Sequence, residues 1–530
     1  MNRLYHKFAV LLITWVLSAP TVVYGQKERY PNVLLIMTDQ QAWNAVGYSG
    51  NKKIKTPNLD RLAREGVNFS QAITPCPVCV PARTSILTGR LTETTTIREN
   101  NDVKAGECYY PTFDEILAKR GFTTEVYGKY HSPEHMARVY MNPPVNGLTG
   151  TDPIVRWESI YVKYIQEHFK KRTLKPGEMY ETTFYGGVIP YKLDPIDRYY
   201  KYLPTGIVPE EELNQELSQA DVHGTLDLPV DHTITAVQGR QTVAALERLK
   251  NKQFILTCSF HCPHVPITPS EPYASMYKAK DMVTPVSIQD SRENSPYNPG
   301  KVLPPYNDKD KVRYMIANYY AFVTEIDDWI GKILNKLDEL NLAGNTLVIF
   351  VSDHGEMLGA HGMRGKFCFY EESVRVPFLI RYTGRIRSGQ TISTPVSVLN
   401  IFPTILDYAG VKSIPTDGYS LKGVMGGTQS PKYDFAVSEW PWTNSRVPSI
   451  MIRTERWKLM TTHRNGGNNI EALFDLKNDP FELNNLLGTN PERFKYKEIA
   501  GELRLQLVGY LNDVHYPLAK GVEERVLVRE

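Results

Sequence analysis

The run Cys79-Val80-Pro81-Ala82-Arg83-Thr84-Ser85-Ile86-Leu87-Thr88-Gly89-Arg90 places a thiol and a guanidinium four residues apart. Pro81 suits a first helical position, because its fixed φ is already helical and its missing N–H would be unpaired there. Gly89 suits the left-handed residue that closes a helix. The reading is a short helix with Cys79 just ahead of it, where orphan backbone N–H groups and the helix dipole favour negative charge. Arg83 returns to the same face one turn later. A potential nucleophile therefore sits in an anion site. Taken alone, Cys76-x-x-Cys79 would equally suit a disulfide or a redox pair.

Carboxylates make the second constellation. Asn32 to Thr38 and Thr346 to Ser352 are apolar runs that end in Asp39-Gln40 and Asp353-His354. Two carboxylates at one site repel unless a cation joins them. Their oxygens favour a hard divalent ion, calcium or magnesium, over zinc. Thr123 to Tyr127 leads in the same way into Gly128-Lys129-Tyr130-His131, and Phe254 to Cys258 leads into His261, Cys262 and His264. A zinc site in this last group is disfavoured, because alternate strand residues face opposite ways and Pro263 bends the rest; a single functional histidine there fits better. Gly359-Ala360-His361-Gly362-Met363-Arg364-Gly365-Lys366 adds a cationic loop.

These residues need elements to hold them. Continuous apolar runs without polar alternation read as strands buried on both faces of a parallel sheet, and ligands gather at the C-terminal ends of such strands. Between them lie helical patterns at Thr56 to Arg64, Phe113 to Lys119, Ala236 to Leu249 and Tyr314 to Leu340, with a helix near Ile401 to Ala409. The expected fold is α/β: a large doubly wound, mixed or mostly parallel sheet with helices on both faces. Residues 134–231 break the pattern and read as an irregular insertion near the site mouth. Beyond Gly427, strand patterns at 449–453, 456–460 and 471–476 and a helix at 503–511 suggest a smaller C-terminal α+β subdomain with an antiparallel sheet.

The chain has 530 residues, enough for a large domain and a smaller partner, and its net charge of +3 implies neither nucleic acid nor an anionic membrane as partner. Arg3, Lys7 and the apolar run Phe8 to Leu17, followed by small residues to Gly25, read as a signal peptide over 1–25, hence an exported, periplasmic or secreted protein. No other stretch approaches membrane-spanning length. The expected organisation is a catalytic domain over 26–427 and the C-terminal subdomain over 428–530. Six cysteines in so long a chain do not make a disulfide scaffold.

Cys79-x-Pro-x-Arg83 followed by Leu-Thr-Gly-Arg90 resembles the sulfatase signature, and the whole chain resembles a type I, formylglycine-dependent sulfatase of the alkaline phosphatase superfamily. Pro31 to Gln40, Gly128 to His131, Pro263 to Pro266, Ser352 to Gly355, Gly362 to Lys366 and Ala472 to Leu487 share in the resemblance. It implies that a maturation enzyme converts Cys79 to 3-oxoalanine, whose hydrate attacks sulfur and later expels sulfate. It implies calcium, less readily magnesium, held by Asp39, Gln40, residue 79, Asp353 and His354. Arg83 and Lys129 would stabilise the hydrate, His131 would be the base, and His264 and Lys366 would meet the sulfate and the leaving oxygen. Many members carry Asp at Gln40 and Asn at His354; both replacements leave ligation possible.

The implied activity is removal of O-sulfate from a sulfated carbohydrate, such as a glycosaminoglycan or mucin-type glycan. Arg98, Asn100 and His361 are candidate substrate contacts, and Tyr180, Tyr185, Tyr191 and Tyr199 could stack on sugar rings. A phosphate or phosphonate monoester hydrolase of the same superfamily is the nearest alternative, and an inactive carbohydrate-binding homologue the next.

Overall fold

A computed structural model describes residues 30–102, 108–133, 135–136, 178–181, 189–193, 224–226, 229–265, 267–297, 306–411, 414–440, 448–461 and 470–524. The expected signal segment and most of the 134–231 insertion, with Tyr185 and Tyr199, lie outside them. Within the insertion, Glu178–Glu181, Ile189–Leu193 and Gly224–Leu226 form a small antiparallel sheet, and Tyr180 and Tyr191 fall on its first two strands.

Seven strands make the main sheet: β1 (Asn32–Thr38), β2 (Val67–Phe69), β3 (Thr123–Gly128), β4 (Phe254–Ser259), β5 (Thr346–Ser352), β6 (Phe378–Arg381) and β7 (Gln390–Ile392). Their order is β7-β2-β6-β5-β1-β4-β3. The run β5-β1-β4-β3 is parallel, whereas β6 is antiparallel to both β5 and β2. The apolar run Val376 to Arg381 is divided at Pro377: Arg375–Val376 pairs with Ala72–Ile73 in a small second sheet, and the main-sheet strand starts after Pro377, which has no N–H to give a ladder.

Period-two alternation divides the sheet's side chains between two layers. Leu34, Ile36, Phe254, Leu256, Val348 and Phe350 pack in one core with α1 (Pro57–Glu65), α4 (Ile234–Leu249) and the long α5 (Lys309–Glu339). Val33, Leu35, Ile255, Leu347 and Ile349, facing the other way, are just as buried. On that side α2 (Cys79–Thr88), α3 (Phe113–Ala118) and α6 (Ile401–Tyr408) pack on one another, with α3 against β3. Among the described residues no helix is long and apolar enough to cross a membrane.

The C-terminal strands β8 (Phe435–Trp440), β9 (Ser449–Thr454), β10 (Trp457–Thr461) and β11 (Ala472–Asp475) form an antiparallel sheet in sequence order. Val437, Ile450, Ile452, Leu459 and Leu473 pack on α7 (Lys497–Asp513). The alternate residues Ala436, Met451, Met460, Ala472 and Phe474 pack on Met357, Cys368, Phe369 and Tyr370. One face of this sheet thus buttresses the segment that carries Lys366. Residues 31–530 form one compact unit.

Candidate active site

Register brings the strand ends together. Thr38 pairs with Ser352, so Asp39 and Asp353 leave adjacent strands side by side; Gly128 pairs with Ser259, so Lys129 leaves β3 beside them. Gly128 has φ +93°, and a Cβ there would lie 1.9 Å from the Ser259 carbonyl oxygen, so only glycine permits this approach.

The helix that carries Cys79 starts two residues earlier than Pro81 suggests. Its first bond runs from the Ala82 N–H to the Val78 carbonyl at 2.9 Å. Pro81 is the third residue, still inside the turn whose N–H groups have no helical partner. Cys79 is therefore the first helical residue, and the Asn100 Oδ1 accepts from the Val80 N–H at 3.1 Å, capping the turn from a distant loop. Gly89 closes the helix in the left-handed conformation, as expected.

Three side chains meet at the sulfur of Cys79. Lys366 Nζ lies 2.8 Å from its Sγ, His354 Nε2 3.1 Å and Asp39 Oδ1 4.0 Å. Burial and Asp39 push the Cys79 thiol up, but Lys366, Lys129 and His354 outweigh them and hold it well below its ordinary range. Lys129, then His264, Arg83 and Lys366, hold Asp39 well below the usual carboxylate range against its burial.

Arg83 ties the two carboxylates together from behind. Its Nε donates to Asp353 Oδ2 at 2.7 Å and its Nη2 to Asp39 Oδ2 at 3.0 Å, while Nη1 donates to the Lys129 carbonyl and to Ser259 Oγ, both at 2.9 Å. Lys129 Nζ lies 2.5 Å from Asp39 Oδ2. The cations thus occupy both Oδ2 atoms and leave each Oδ1 turned toward His354 Nε2, 3.9 Å away for Asp39 and 3.6 Å for Asp353.

The remaining donors are oriented by what lies behind them. His354 Nδ1 lies 3.0 Å from the Gly355 carbonyl, which can only accept, so Nδ1 carries a proton and Nε2 faces the site, where loss of its proton frees a lone pair. Gln40 has φ +64°, and its Nε2 donates to Glu356, a carboxylate that can only accept; its Oε1 is thereby turned inward, where Lys366 donates to it at 2.9 Å. Asp39, Cys79, Asp353 and His354 offer ligand atoms that all lie within 4.8 Å of one another. Two carboxylate oxygens, an amide oxygen and an imidazole nitrogen suit a hard divalent cation, and the buried like charges give it a reason to bind. Cys258, His261, Cys262 and His264 make no such group among the described residues, and no disulfide joins any of the six cysteines, Cys76 and Cys79 included.

Two histidines complete the surroundings. Burial, then Lys129, lowers the His131 pKa to about 4. Burial, then Lys366 and Lys129, lowers that of His264, whose Nδ1 lies 2.8 Å from the Val265 carbonyl and so leaves Nε2 to face the site. Both rings interact with Cys79.

Three expected substrate contacts are engaged elsewhere. Arg98 pairs with Glu93 through Nε at 2.9 Å and through Nη2. Asn100 caps α2 as described. His361 is fully buried, with Nδ1 2.6 Å from Asp290 Oδ2 and its ring stacked on Tyr370 at 3.7 Å, so it supports the loop that carries Lys366 and does not belong to the group at Cys79. Conversely, Ser259 and Glu356 were not singled out from sequence. The only signal was position: a hydroxyl ending β4, and a carboxylate three residues after Asp353.

Residues 31–411 match the family model described as Sulfatase. The chain belongs to the sulfatase family. Residues 359–512 also match the model described as N-sulphoglucosamine sulphohydrolase, C-terminal. The chain is similar to an arylsulfatase of Clostridium perfringens, 30% identical over 495 residues that cover 90% of this chain and 94% of the relative. It is 27% identical to an N-acetylglucosamine-6-O-sulfatase of Bacteroides thetaiotaomicron, covering 92% of this chain and 89% of that one. In fold it resembles the phosphonate monoester hydrolase of Agrobacterium radiobacter, with a TM-score of 0.70 at 22% identity, over 91% of this chain and 96% of that one. This member of the family is a sulfuric ester hydrolase of the alkaline phosphatase superfamily.

Proposed function

We propose that the protein hydrolyses O-sulfate esters of a carbohydrate, with Cys79 converted to formylglycine by a maturation enzyme and a divalent cation, calcium in preference to magnesium, held by Asp39, Gln40, Asp353 and His354. The observation that supports this most strongly is the meeting at one sulfur atom of Lys366, His354 and the carboxylates bridged by Arg83. The Cys79 Sγ marks where the oxygens of a hydrated aldehyde would stand.

The hydrate would supply the attacking hydroxyl, and the cation a fixed positive charge against the sulfate oxygens. The chain's own residues do the rest. Arg83 and Lys129 keep the Oδ2 atoms of Asp39 and Asp353 occupied, so that the ligand oxygens point inward. Lys366, at the nucleophile position, neutralises charge on the sulfate and on the leaving oxygen. His264, its Nδ1 donating to a carbonyl, presents Nε2 to the leaving oxygen, to which it gives a proton when the ring is in its imidazolium form. His131, held neutral by burial and by Lys129, takes the proton when sulfate is expelled. The apolar N-terminal run supports export, and a relative named for N-acetylglucosamine-6-O-sulfate hydrolysis supports a sulfated sugar.

The test is sulfate release from defined sulfated mono- and disaccharides by the matured protein, beside a comparison of aryl sulfate with aryl phosphate. Faster phosphate turnover would overturn the sulfatase reading. A mass spectrum of the peptide containing Cys79 should show the aldehyde; an intact thiol in active protein would overturn the formylglycine. Cys79→Ala should abolish turnover and leave the fold in place.

A further inference from the structure

Lys366 is followed by Phe367-Cys368-Phe369-Tyr370, and of these Phe367 alone is exposed, at 43%. Its φ of +71° is a left-handed conformation that a bulky side chain adopts only when its surroundings compel it. The surroundings do so on both sides. Before it, Lys366 is fixed by Gln40 and Cys79. After it, Cys368 and Tyr370 are buried, the Phe369 N–H donates to the Tyr297 hydroxyl at 2.9 Å, and the Phe369 carbonyl accepts from Lys458 at 2.9 Å.

The ring so turned outward lies 5.8 Å from Lys366 Nζ, one ammonium group away from the Cys79 sulfur. Its neighbour is Trp440, the last residue of β8, with ring centroids 5.9 Å apart and planes tilted by 36°. Two aromatic side chains from separate parts of the chain therefore meet beside the catalytic lysine, one of them exposed.

We propose that Phe367 and Trp440 form a platform for the ring of the leaving group, so that the substrate's pyranose stacks on Phe367 while its sulfate enters the site. This rests on the sulfated-carbohydrate reading above. Attack in line on sulfur places the leaving oxygen on the side away from the nucleophile, where Lys366 meets it, and the sugar bonded to that oxygen must pass the residue beside Lys366. The C–H groups of a pyranose face carry slight positive charge and suit the negative face of an aromatic ring. A rigid, strained exposed phenylalanine offers that face with little entropy left to lose on binding.

The experiment uses the matured, metal-loaded enzyme. A panel of sulfated hexoses and hexosamines identifies the best sugar substrate, and ethyl sulfate serves as a ring-less control. Phe367→Ala should lower kcat/KM for the sugar about tenfold, chiefly through KM, and leave ethyl sulfate unchanged. Phe367→Tyr should restore the sugar activity, and Trp440→Leu should reproduce a smaller part of the loss. An equal loss on both substrates would overturn the platform and make Phe367 a support for Lys366, and no loss on either would overturn the platform as well. If the wild-type enzyme releases sulfate from ethyl sulfate but from no sugar, it is the carbohydrate reading that fails, and with it the ligand assigned to the platform.

Discussion

Arg83→Met separates the two buried carboxylates in an instructive way. The guanidinium is 2% exposed and is Asp353's cationic partner on Oδ2; Asp39 Oδ2 is shared between Arg83 and Lys129. Methionine fills most of the space without the charge. Removing one partner of a buried pair costs about 3–5 kcal/mol, because the other charge stays buried without compensation. After the substitution Asp39 still has Lys129, whereas Asp353 keeps only the N–H groups of Gln40 and His354, at 3.0 and 2.8 Å on Oδ1. The deficit should therefore fall on Asp353. Equilibrium urea unfolding in chelator should show Arg83→Met destabilised by about 3–5 kcal/mol. Adding Asp353→Asn should recover more of this than adding Asp39→Asn, because a double-mutant cycle reports the coupling of each pair. Millimolar calcium should narrow the gap, since a bound cation replaces the missing positive charge. A loss below about 1 kcal/mol, or equal recovery from the two asparagines, would refute the view that Arg83 is the bridge.

Two further perturbations test the orienting groups. The folded His131 pKa, about 4, lies below its ordinary 6.5, so folding favours the neutral ring. Its contribution to stability is complete above pH 6.5 and is lost as pH falls from there toward 4. NMR titration of Cys79→Ala protein should find His131 still neutral at about pH 5.5, and an ordinary titration near 6.5 would refute its burial beside Lys129. Glu356→Gln frees the Gln40 amide to turn, since Glu356 accepts from Gln40 Nε2 and from the Gly365 N–H at 2.6 Å. Calcium affinity, measured by calorimetry, should fall about ten- to a hundredfold, and unchanged affinity would sink the orienting role.

The chain's own order of residues was enough to reveal the family, the class of reaction and much of the fold. Apolar runs ending in Asp39 and Asp353 announced buried parallel strands, because only such strands need no polar alternation. The long period of the 314–340 region announced a core helix, found at Lys309–Glu339. The Cys79 to Arg90 run announced the family, because the residues that carry the resemblance are neighbours in the chain. Pro81 misplaces the helix start because proline fits anywhere in a first turn, and β8 is not announced locally because its two faces are buried by distant segments, α7 on one side and the residues after Lys366 on the other.

What the tertiary structure decided is of another kind. Strand pairing between residues hundreds of positions apart put Asp39 beside Asp353, and no local pattern encodes register. The position of Arg83 determined which oxygen of each carboxylate faces the site, and Glu356 determined which end of the Gln40 amide does. His361 and Phe367 show the same limit from both sides. His361, a candidate substrate contact by sequence, is stacked on Tyr370, and the apolar Phe367 is turned outward by the anchors on either side of it. Residue type sets what a side chain can do; which neighbours it meets is set by packing, and packing is a property of the whole chain.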